Sequence, residues 1–165
     1  MPATPEDLFA RLDRLGIAHK THDHPPLFTV EDSKRLRGAL PGGHCKNLFL
    51  RDKKRNLFLL VTLEDRPIDL KSLKAAFGAS GNLSFGSPEL LKETLGVEPG
   101  AVTPFALIND AGRRVTVFLD KGMLGLDPLN YHPLTNARTT AVSPKDLVRF
   151  IESCGHLPKT VDLAG

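Results

Sequence analysis

The chain of 165 residues and 18.0 kDa has the length of about one domain, and such a domain buries a sizeable core without disulfides or metals. Its 41% hydrophobic and 25% charged residues exclude a disordered chain, a collagen-like repeat and a coiled coil. The net charge of +3 is mild, and the longest apolar run, residues 57–61, is far shorter than the about 20 residues of a membrane span. We therefore expect one soluble domain over residues 1–165, with no membrane partner.

The first ten residues and the cysteine content bear on the cellular compartment. The segment MPATPEDLFA carries acidic residues and no apolar stretch, whereas a secretion signal needs basic residues followed by such a stretch. The two cysteines, Cys45 and Cys154, are too few for a disulfide framework and lack C-x-x-C spacing. Both features predict a cytoplasmic protein.

Helix and strand signals alternate in the N-terminal quarter. Thr4 and Pro5 open an amphipathic helix over residues 5–15, and residues 17–23 show the partial alternation of a strand. The prolines at 25 and 26 end that strand, and Thr29 then caps a predicted short helix over residues 30–37.

A β-hairpin and two helices are predicted in the middle of the chain. Residues 45–51 and 56–63 flank the turn-rich residues 52–55, and residues 57–61 have the apolar pattern of a buried arm. Helices are predicted from Asp69 to residue 77 and from Ser87 to residue 95, with a short strand at residues 82–85 between them.

A second hairpin is predicted from residues 105–109 and 114–120, with Val115, Val117 and Leu119 on one face of its second strand. Extended segments at residues 130–134 and 139–142 precede a last helix that Ser143 caps. This order of elements predicts an α+β fold in which a mixed sheet is flanked by helices.

Basic residues are clustered, although the net charge is low. Such clusters are either solvated surface or contacts to the phosphates of a nucleic acid. One cluster lies on the predicted short helix and the other at the tip of the first hairpin: Lys34, Arg35 and Arg37, then Arg51, Lys53, Lys54 and Arg55.

Histidine and cysteine residues raise two catalytic alternatives that the spacing does not favour. No histidine pair at helical spacing completes a recognisable zinc site, so no metal is expected. Cys45 as a nucleophile needs a nearby imidazole, whereas a lone cysteine at the start of an apolar strand is more often a small buried side chain. The candidate metal ligands are His22, His24, His44, Cys45 and His132.

Three stretches combine polar groups with glycine or proline in a way that a ligand site would use. Residues 42–50 place Lys46 at the start of a strand, where its desolvation is costly unless an anion or a polar ligand meets it. Residues 96–105 hold two glycines and two prolines, and glycine permits close backbone approach. Residues 130–140 are dense in hydrogen-bonding groups.

Taken together, these stretches resemble the YbaK/ProX family of aminoacyl-tRNA deacylases. The matching residues are His44-Cys45-Lys46-Asn47-Leu48-Phe49-Leu50, then Gly100-x-x-x-Pro104, then His132-Pro133-Leu134-x-Asn136. The branch that the chain resembles most is the free-standing prolyl-tRNA editing branch, which removes alanine from proline tRNA. The resemblance implies a mixed, mostly antiparallel sheet that is partly barrel-like and flanked by helices.

The resemblance also assigns roles to individual residues. Lys46 would contact the 3′-terminal part of the tRNA and hold the ester, with support from Asn47, and His132 matches the family's site histidine. Thr29 and Asn136 would bind substrate together with the loop that shapes the amino-acid pocket. That loop comprises Gly100, Ala101, Val102, Thr103 and Pro104.

The implied activity is metal-independent hydrolysis of alanine from mischarged proline tRNA, with no cofactor and with prolyl-tRNA synthetase as a further partner. A synthetase pocket built for proline rejects the smaller alanine weakly, because a missing methylene changes binding by only about 1–3 kcal/mol. Two alternatives stay open: removal of cysteine from the same tRNA, and a non-catalytic module that binds tRNA or the synthetase.

Overall fold

Capping residues that are visible in the sequence begin the helices. The structure, a computed structural model, describes residues 2–25 and 40–163. The Thr4 hydroxyl accepts a hydrogen bond from the Asp7 amide, and Ser87 and Ser143 cap two later helices in the same way. The predicted helix at residues 30–37, with its Thr29 cap, lies outside the described residues. The helices are α1 (Pro5–Arg14), α2 (Leu70–Phe77), α3 (Pro88–Leu95) and α4 (Pro144–Ser153).

A mixed sheet is the centre of the fold. Its strands follow the order β1-β7-β6-β2-β3-β5-β8, and β4 pairs with β2 beside β6. Antiparallel pairs join β1 to β7, β6 to β7, and β2 to both β3 and β4, while β2–β6, β3–β5 and β5–β8 are parallel. The α+β prediction is confirmed. The strands are β1 (Lys20–Asp23), β2 (Gly43–Arg51), β3 (Leu57–Leu63), β4 (Ser84–Phe85), β5 (Val115–Asp120), β6 (Leu129–Tyr131), β7 (Arg138–Val142) and β8 (Lys159–Val161).

The second predicted hairpin is wrong. Residues Pro104–Asn109 form a 3₁₀ helix, and β5 pairs in parallel with β3 instead of folding back on the preceding segment. Thr103 caps this helix through a bond from the Phe105 amide, and Pro104 supplies the fixed φ of a first helical position. Phe105, Ala106 and Leu107 are all buried, so the segment lacks the alternation of a half-buried strand.

The sheet carries a separate apolar core on each side. Val115, Val117 and Leu119 of β5 pack in the first core, against α1, α3 and α4, as their predicted common face requires. Phe118, the residue between them, packs in the second core with Leu73 and Phe77 of α2. Alternate residues of one strand therefore point to opposite sides of the sheet, and both sides are covered.

Asp52 organises the turn between β2 and β3 that carries the basic cluster. Its carboxylate accepts hydrogen bonds from the backbone amides of Lys54, Asn56 and Ser80 and from the Asn56 side chain. Burial alone would raise the pKa of Asp52, but these donors outweigh it and the pKa lies below its usual range. The turn is therefore held in one conformation although its other residues are exposed.

No helix in the two described ranges is both long enough and apolar enough to cross a bilayer.

Candidate functional site

Strand β2 carries the two polar residues at the centre of the motif and directs them to opposite sides of the sheet. Lys46 pairs with Thr62 and Asn47 with Val61, and residues paired across an antiparallel ladder share a side. Val61 belongs to the first core, so the Asn47 side chain lies on that side and the Lys46 side chain on the other. Direct side-chain support of Lys46 by Asn47, which the resemblance suggested, is therefore not the geometry observed.

Lys46 is half-buried beside an ion-pair cluster. Its Nζ donates to the carbonyl oxygen of Arg66 at 2.6 Å, and the Arg66 guanidinium binds the buried Asp120 carboxylate with Nε–Oδ2 at 3.1 Å. The Thr62 hydroxyl donates to the same Asp120 oxygen at 2.7 Å. Burial lowers the pKa of Lys46, while the charges of Asp65 and Glu64 oppose that shift. Lys46 thus presents a partly desolvated cation with one backbone acceptor.

Asn47 lines a small cavity at the edge of β2 that faces away from β3. The cavity has a volume of about 270 Å³ and mostly apolar walls. Within the described residues, the Asn47 Oδ1 atom is buried and accepts no hydrogen bond. An unpaired buried acceptor lowers the stability of the fold by about 1–3 kcal/mol, so its presence indicates that a bound ligand supplies the missing donor. The other lining residues are Leu48, Phe49, Phe85, Gly86, Pro88, Leu91, Pro99 and Val102.

A gap in strand pairing lies beside this cavity. On the edge of β2 away from β3, β6 pairs at Gly43 and His44, and β4 pairs at Leu50 and Arg51. No described strand pairs with that edge over residues 45–49, where the Phe49 carbonyl accepts from the Gly86 amide. In an antiparallel ladder, residues two apart direct their backbone N–H and C=O groups to the same edge of the strand. Because the Phe49 carbonyl points to this edge, the backbone groups of Asn47 point toward the gap. Backbone and carboxamide groups of one residue thus adjoin one cavity.

The glycine–proline loop separates this cavity from a larger one. Pro99 lines both, Val102 lines the small cavity, and Gly100 and Ala101 line a cavity of about 470 Å³ together with Asn136. The glycine–proline loop therefore lies between the other two predicted stretches, next to Asn47 in the small cavity and next to Asn136 in the larger one. Thr103 and Pro104 line neither cavity. Both are buried, Thr103 as the cap and Pro104 as the first residue of the 3₁₀ helix, and they hold the loop in position.

Gly100 has little room for a side chain on the face toward Asn136. A Cβ at position 100 would lie 3.2 Å from the Asn136 Nδ2 atom, closer than ordinary contact. Gly100→Ala is expected to displace the amide and to lower the rate of amino-acid release by about tenfold, because small misplacements at a site are costly. Single-turnover hydrolysis of charged tRNA measures this.

The matched control is Gly112→Ala in an exposed turn, where the nearest atom to a new Cβ is Arg114 Cγ at 3.7 Å. That variant is expected to keep the wild-type rate. Equal rates for both variants and the wild type would remove Gly100 from the site.

His132 lies outside the lining of these two cavities and faces a second histidine. Its Nδ1 donates to the Arg138 carbonyl at 3.0 Å, and its ring centroid is 6.2 Å from that of His24. Burial lowers the pKa of His132, the His24 charge acts in the same direction, and the Arg138 carbonyl opposes both. At neutral pH the ring is therefore uncharged, and Nε2 carries the lone pair that a general base needs.

The geometry does not favour a cysteine nucleophile or a metal site in the described residues. Burial raises the pKa of the Cys45 thiol to about 12, so its thiolate is disfavoured at neutral pH. Across residues 2–25 and 40–163, the candidate ligands at 22, 24, 44, 45 and 132 belong to no group of three His, Cys, Asp or Glu side chains able to hold a metal ion. The basic residues Arg51, Lys53 and Lys54 are exposed at the β2–β3 turn. Thr29, Lys34, Arg35 and Arg37 lie outside the described residues.

Phe85, Gly86 and Leu91 were missed as site residues. The sequence shows Phe85 only as the end of a short strand, and nothing in its neighbours indicates that β4 pairs with β2 beside Asn47. The glycine was the one available signal. A Cβ at Gly86 would lie 2.4 Å from the Phe49 ring, so only glycine allows this close approach of β4 to β2.

Comparisons with known proteins identify the family of the chain. The family model described as an aminoacyl-tRNA editing domain matches residues 24–150. A protein of Danio rerio named prolyl-tRNA synthetase associated domain-containing protein 1 is 42% identical over 149 residues, which cover 89% of this chain and 80% of the relative. The prolyl-tRNA editing protein ProX of Acetoanaerobium sticklandii is 35% identical over 157 residues, covering 94% and 95%.

The fold has solved counterparts as well. A crystal structure described as a candidate trans-editing enzyme for prolyl tRNA synthetase superposes with a TM-score of 0.74 at 20% identity, and the match covers 99% of this chain and 98% of that one. At this identity the likeness concerns the fold alone. The family match spans most of the chain and includes Lys46, Asn47, Gly100 and His132. The chain belongs to the aminoacyl-tRNA editing domain family.

Proposed function

We propose that this protein is a trans-editing deacylase that hydrolyses the ester between alanine and proline tRNA without a metal ion. Membership of the editing family supports an ester hydrolase that acts on charged tRNA. A relative that is 35% identical over nearly its whole length is named a prolyl-tRNA editing protein, which supports proline tRNA as the carrier. The preference for alanine follows from the resemblance to the prolyl-tRNA editing branch, and the small cavity is where the alanine side chain would lie.

The observation that carries the proposal is the cavity that Asn47 lines beside the gap in β2. Its volume of about 270 Å³ lies below the about 300–1,000 Å³ of cavities that hold drug-sized ligands, and suits a small aminoacyl group. Val102 and Leu91 offer apolar contact to a methyl group, and the buried Asn47 Oδ1 offers an acceptor to the α-amino group.

The chemistry requires little machinery, because an ester is already activated. A water molecule attacks the carbonyl carbon, and the bond between this carbon and the ribose oxygen breaks. The products are free alanine and a tRNA whose ribose hydroxyl is free again. Donors near the developing oxyanion stabilise it, and positioning of the ester does the rest. Lys46 would anchor the terminal nucleotide, and the neutral His132 Nε2 would orient the substrate or accept the proton of the water.

The decisive experiment is single-turnover release of labelled amino acid from proline tRNA charged with alanine, cysteine or proline, with and without a chelator. The expected result is fast release of alanine, slow release of the other two, and no effect of the chelator. Preferential release of cysteine would transfer the function to the cysteine-specific alternative. Tight tRNA binding without release of any of the three would indicate a non-catalytic binding module.

A further inference from the structure

One large aromatic side chain is exposed at the rim of the proposed aminoacyl cavity. Phe85, at the end of β4, is 61% exposed, whereas eight described residues of the second core, Phe58 and Phe77 among them, are buried. It also lines the small cavity together with Asn47. A single exposed phenylalanine is ordinary on a protein surface, and the informative observation is that this one also borders a cavity, where a bound ligand would contact its ring.

Phe85 and Lys46 lie on the same side of the sheet. Phe85 pairs with Leu50 across the β2–β4 ladder, and paired residues share a side. Lys46, Leu48 and Leu50 alternate along β2 and therefore point to that same side, opposite to Asn47. An aminoacyl group in the cavity and a nucleotide on the Lys46 side would thus meet at the gap in the β2 edge, with Phe85 at its border.

Exposed basic residues lie close to β4, at the end of β2 and in the turn that follows it. Arg51 pairs with Ser84, the residue before Phe85, and the Lys53 amide donates to the Ser80 carbonyl at 2.9 Å. Arg51, Lys53, Lys54 and Arg55 are exposed, and they form no ion pair with any residue of the described ranges. Arg51 alternates with Leu50 and therefore points to the Asn47 side, whereas Lys53, Lys54 and Arg55 lie in the turn beyond the strand. Exposed cations of this turn, close to an exposed aromatic ring, are complementary to a single-stranded nucleic acid end.

We propose that the ring of Phe85 stacks on the unpaired base at the 3′ end of the tRNA, while the basic β2–β3 turn contacts the phosphates of the nucleotides that precede this base. The inference rests on the proposed function and names the surface that holds the nucleotide. Proteins that bind unpaired RNA ends use this combination, because every base presents a flat face to an aromatic ring. Stacking fixes the terminal nucleotide at the gap and so delivers its ester to the cavity.

The test measures affinity for uncharged proline tRNA with and without its 3′-terminal adenosine. Phe85→Ala is expected to weaken binding of the intact tRNA by about 5- to 150-fold, the range of one base–aromatic stack, and to leave the truncated tRNA almost unchanged. Phe85→Tyr should restore the affinity and Phe85→Leu should not. Leu157→Ala, which removes a leucine that is 81% exposed, is the matched control and should bind normally.

A spectroscopic reading is available because the sequence contains no tryptophan. Phe85→Trp introduces a single indole, and its fluorescence should be quenched by intact tRNA but not by the truncated form. Unchanged affinity in Phe85→Ala, equal loss for both tRNAs, or full activity of Phe85→Leu would overturn the proposal. If tRNA binding depends on Phe85 but no charged tRNA is hydrolysed, the stacking proposal is supported and the proposed function is contradicted. If charged tRNA is hydrolysed at a rate that does not depend on Phe85, the proposed function is supported and the stacking proposal is contradicted.

Discussion

Asn47→Leu is expected to lower the single-turnover rate of alanine release by about 10²-fold while making the fold more stable. Leucine has nearly the shape of asparagine but offers no acceptor to the α-amino group of the substrate, and a misplacement of the ester by about an ångström costs about 10²-fold in rate. The fold loses no hydrogen bond, because the Asn47 Oδ1 atom accepts none from the described residues.

The gain in stability follows from the same atom. A buried unpaired polar group costs about 1–3 kcal/mol, so an apolar replacement should raise the free energy of unfolding by about 1 kcal/mol. For a domain of this length the midpoint of thermal unfolding should rise by about 2–4 °C. A variant that is more stable but slower than the wild type identifies a residue whose side chain serves the reaction and not the packing of the fold.

Thr94→Val supplies the matched control for Asn47→Leu. The Thr94 Oγ1 atom is also buried without a partner in the described ranges, but Thr94 lies on α3 outside the lining of both cavities. This variant should gain similar stability and keep the wild-type rate. If Asn47→Leu released alanine at the wild-type rate while Thr94→Val released it more slowly, the Asn47 carboxamide would have no role in the reaction.

Lys46→Ala is expected to slow the release of alanine and of cysteine by the same factor, about 10²-fold, because loss of the anchor misplaces the ester by about an ångström. Equal factors are expected because Lys46 lies on the side of β2 opposite to Asn47 and would hold the nucleotide, which both substrates share. Single-turnover assays with both charged tRNAs measure the two factors.

The control for Lys46→Ala is Lys74→Ala, which removes an exposed lysine from α2. It should leave both rates unchanged and should lower tRNA affinity only slightly, since one remote charge contributes little in physiological salt. Retention of the full rate in Lys46→Ala would contradict the proposed role, and loss for alanine alone would assign Lys46 to the aminoacyl group instead.

The sequence predicts features that depend on neighbouring residues. The caps at Thr4, Ser87 and Ser143, the buried arm of the first hairpin and the α+β class are local patterns, and the structure confirms them. The 3₁₀ helix at Pro104–Asn109 was missed because its apolar run fits a buried strand equally well, and only packing distinguishes the two.

The candidate site was predictable in its residue types but not in its arrangement. Lys46 and Asn47 are adjacent in the motif, and only the register with β3 shows that they serve opposite sides of the sheet. Phe85 joined the site through a two-residue strand whose partner is more than thirty residues away along the chain. Such long-range pairing leaves no local pattern in the sequence.

The last strand has a consequence for synthesis of the protein. β8 pairs in parallel with β5, and its Val161 packs in the second core beside Leu60 and Phe118. Leu60 is thus translated a hundred residues before one of the side chains that cover it. At about 5–20 residues per second the ribosome leaves this apolar face open for several seconds, so the nascent chain is most exposed to aggregation and to chaperone capture on the α2 side of the sheet.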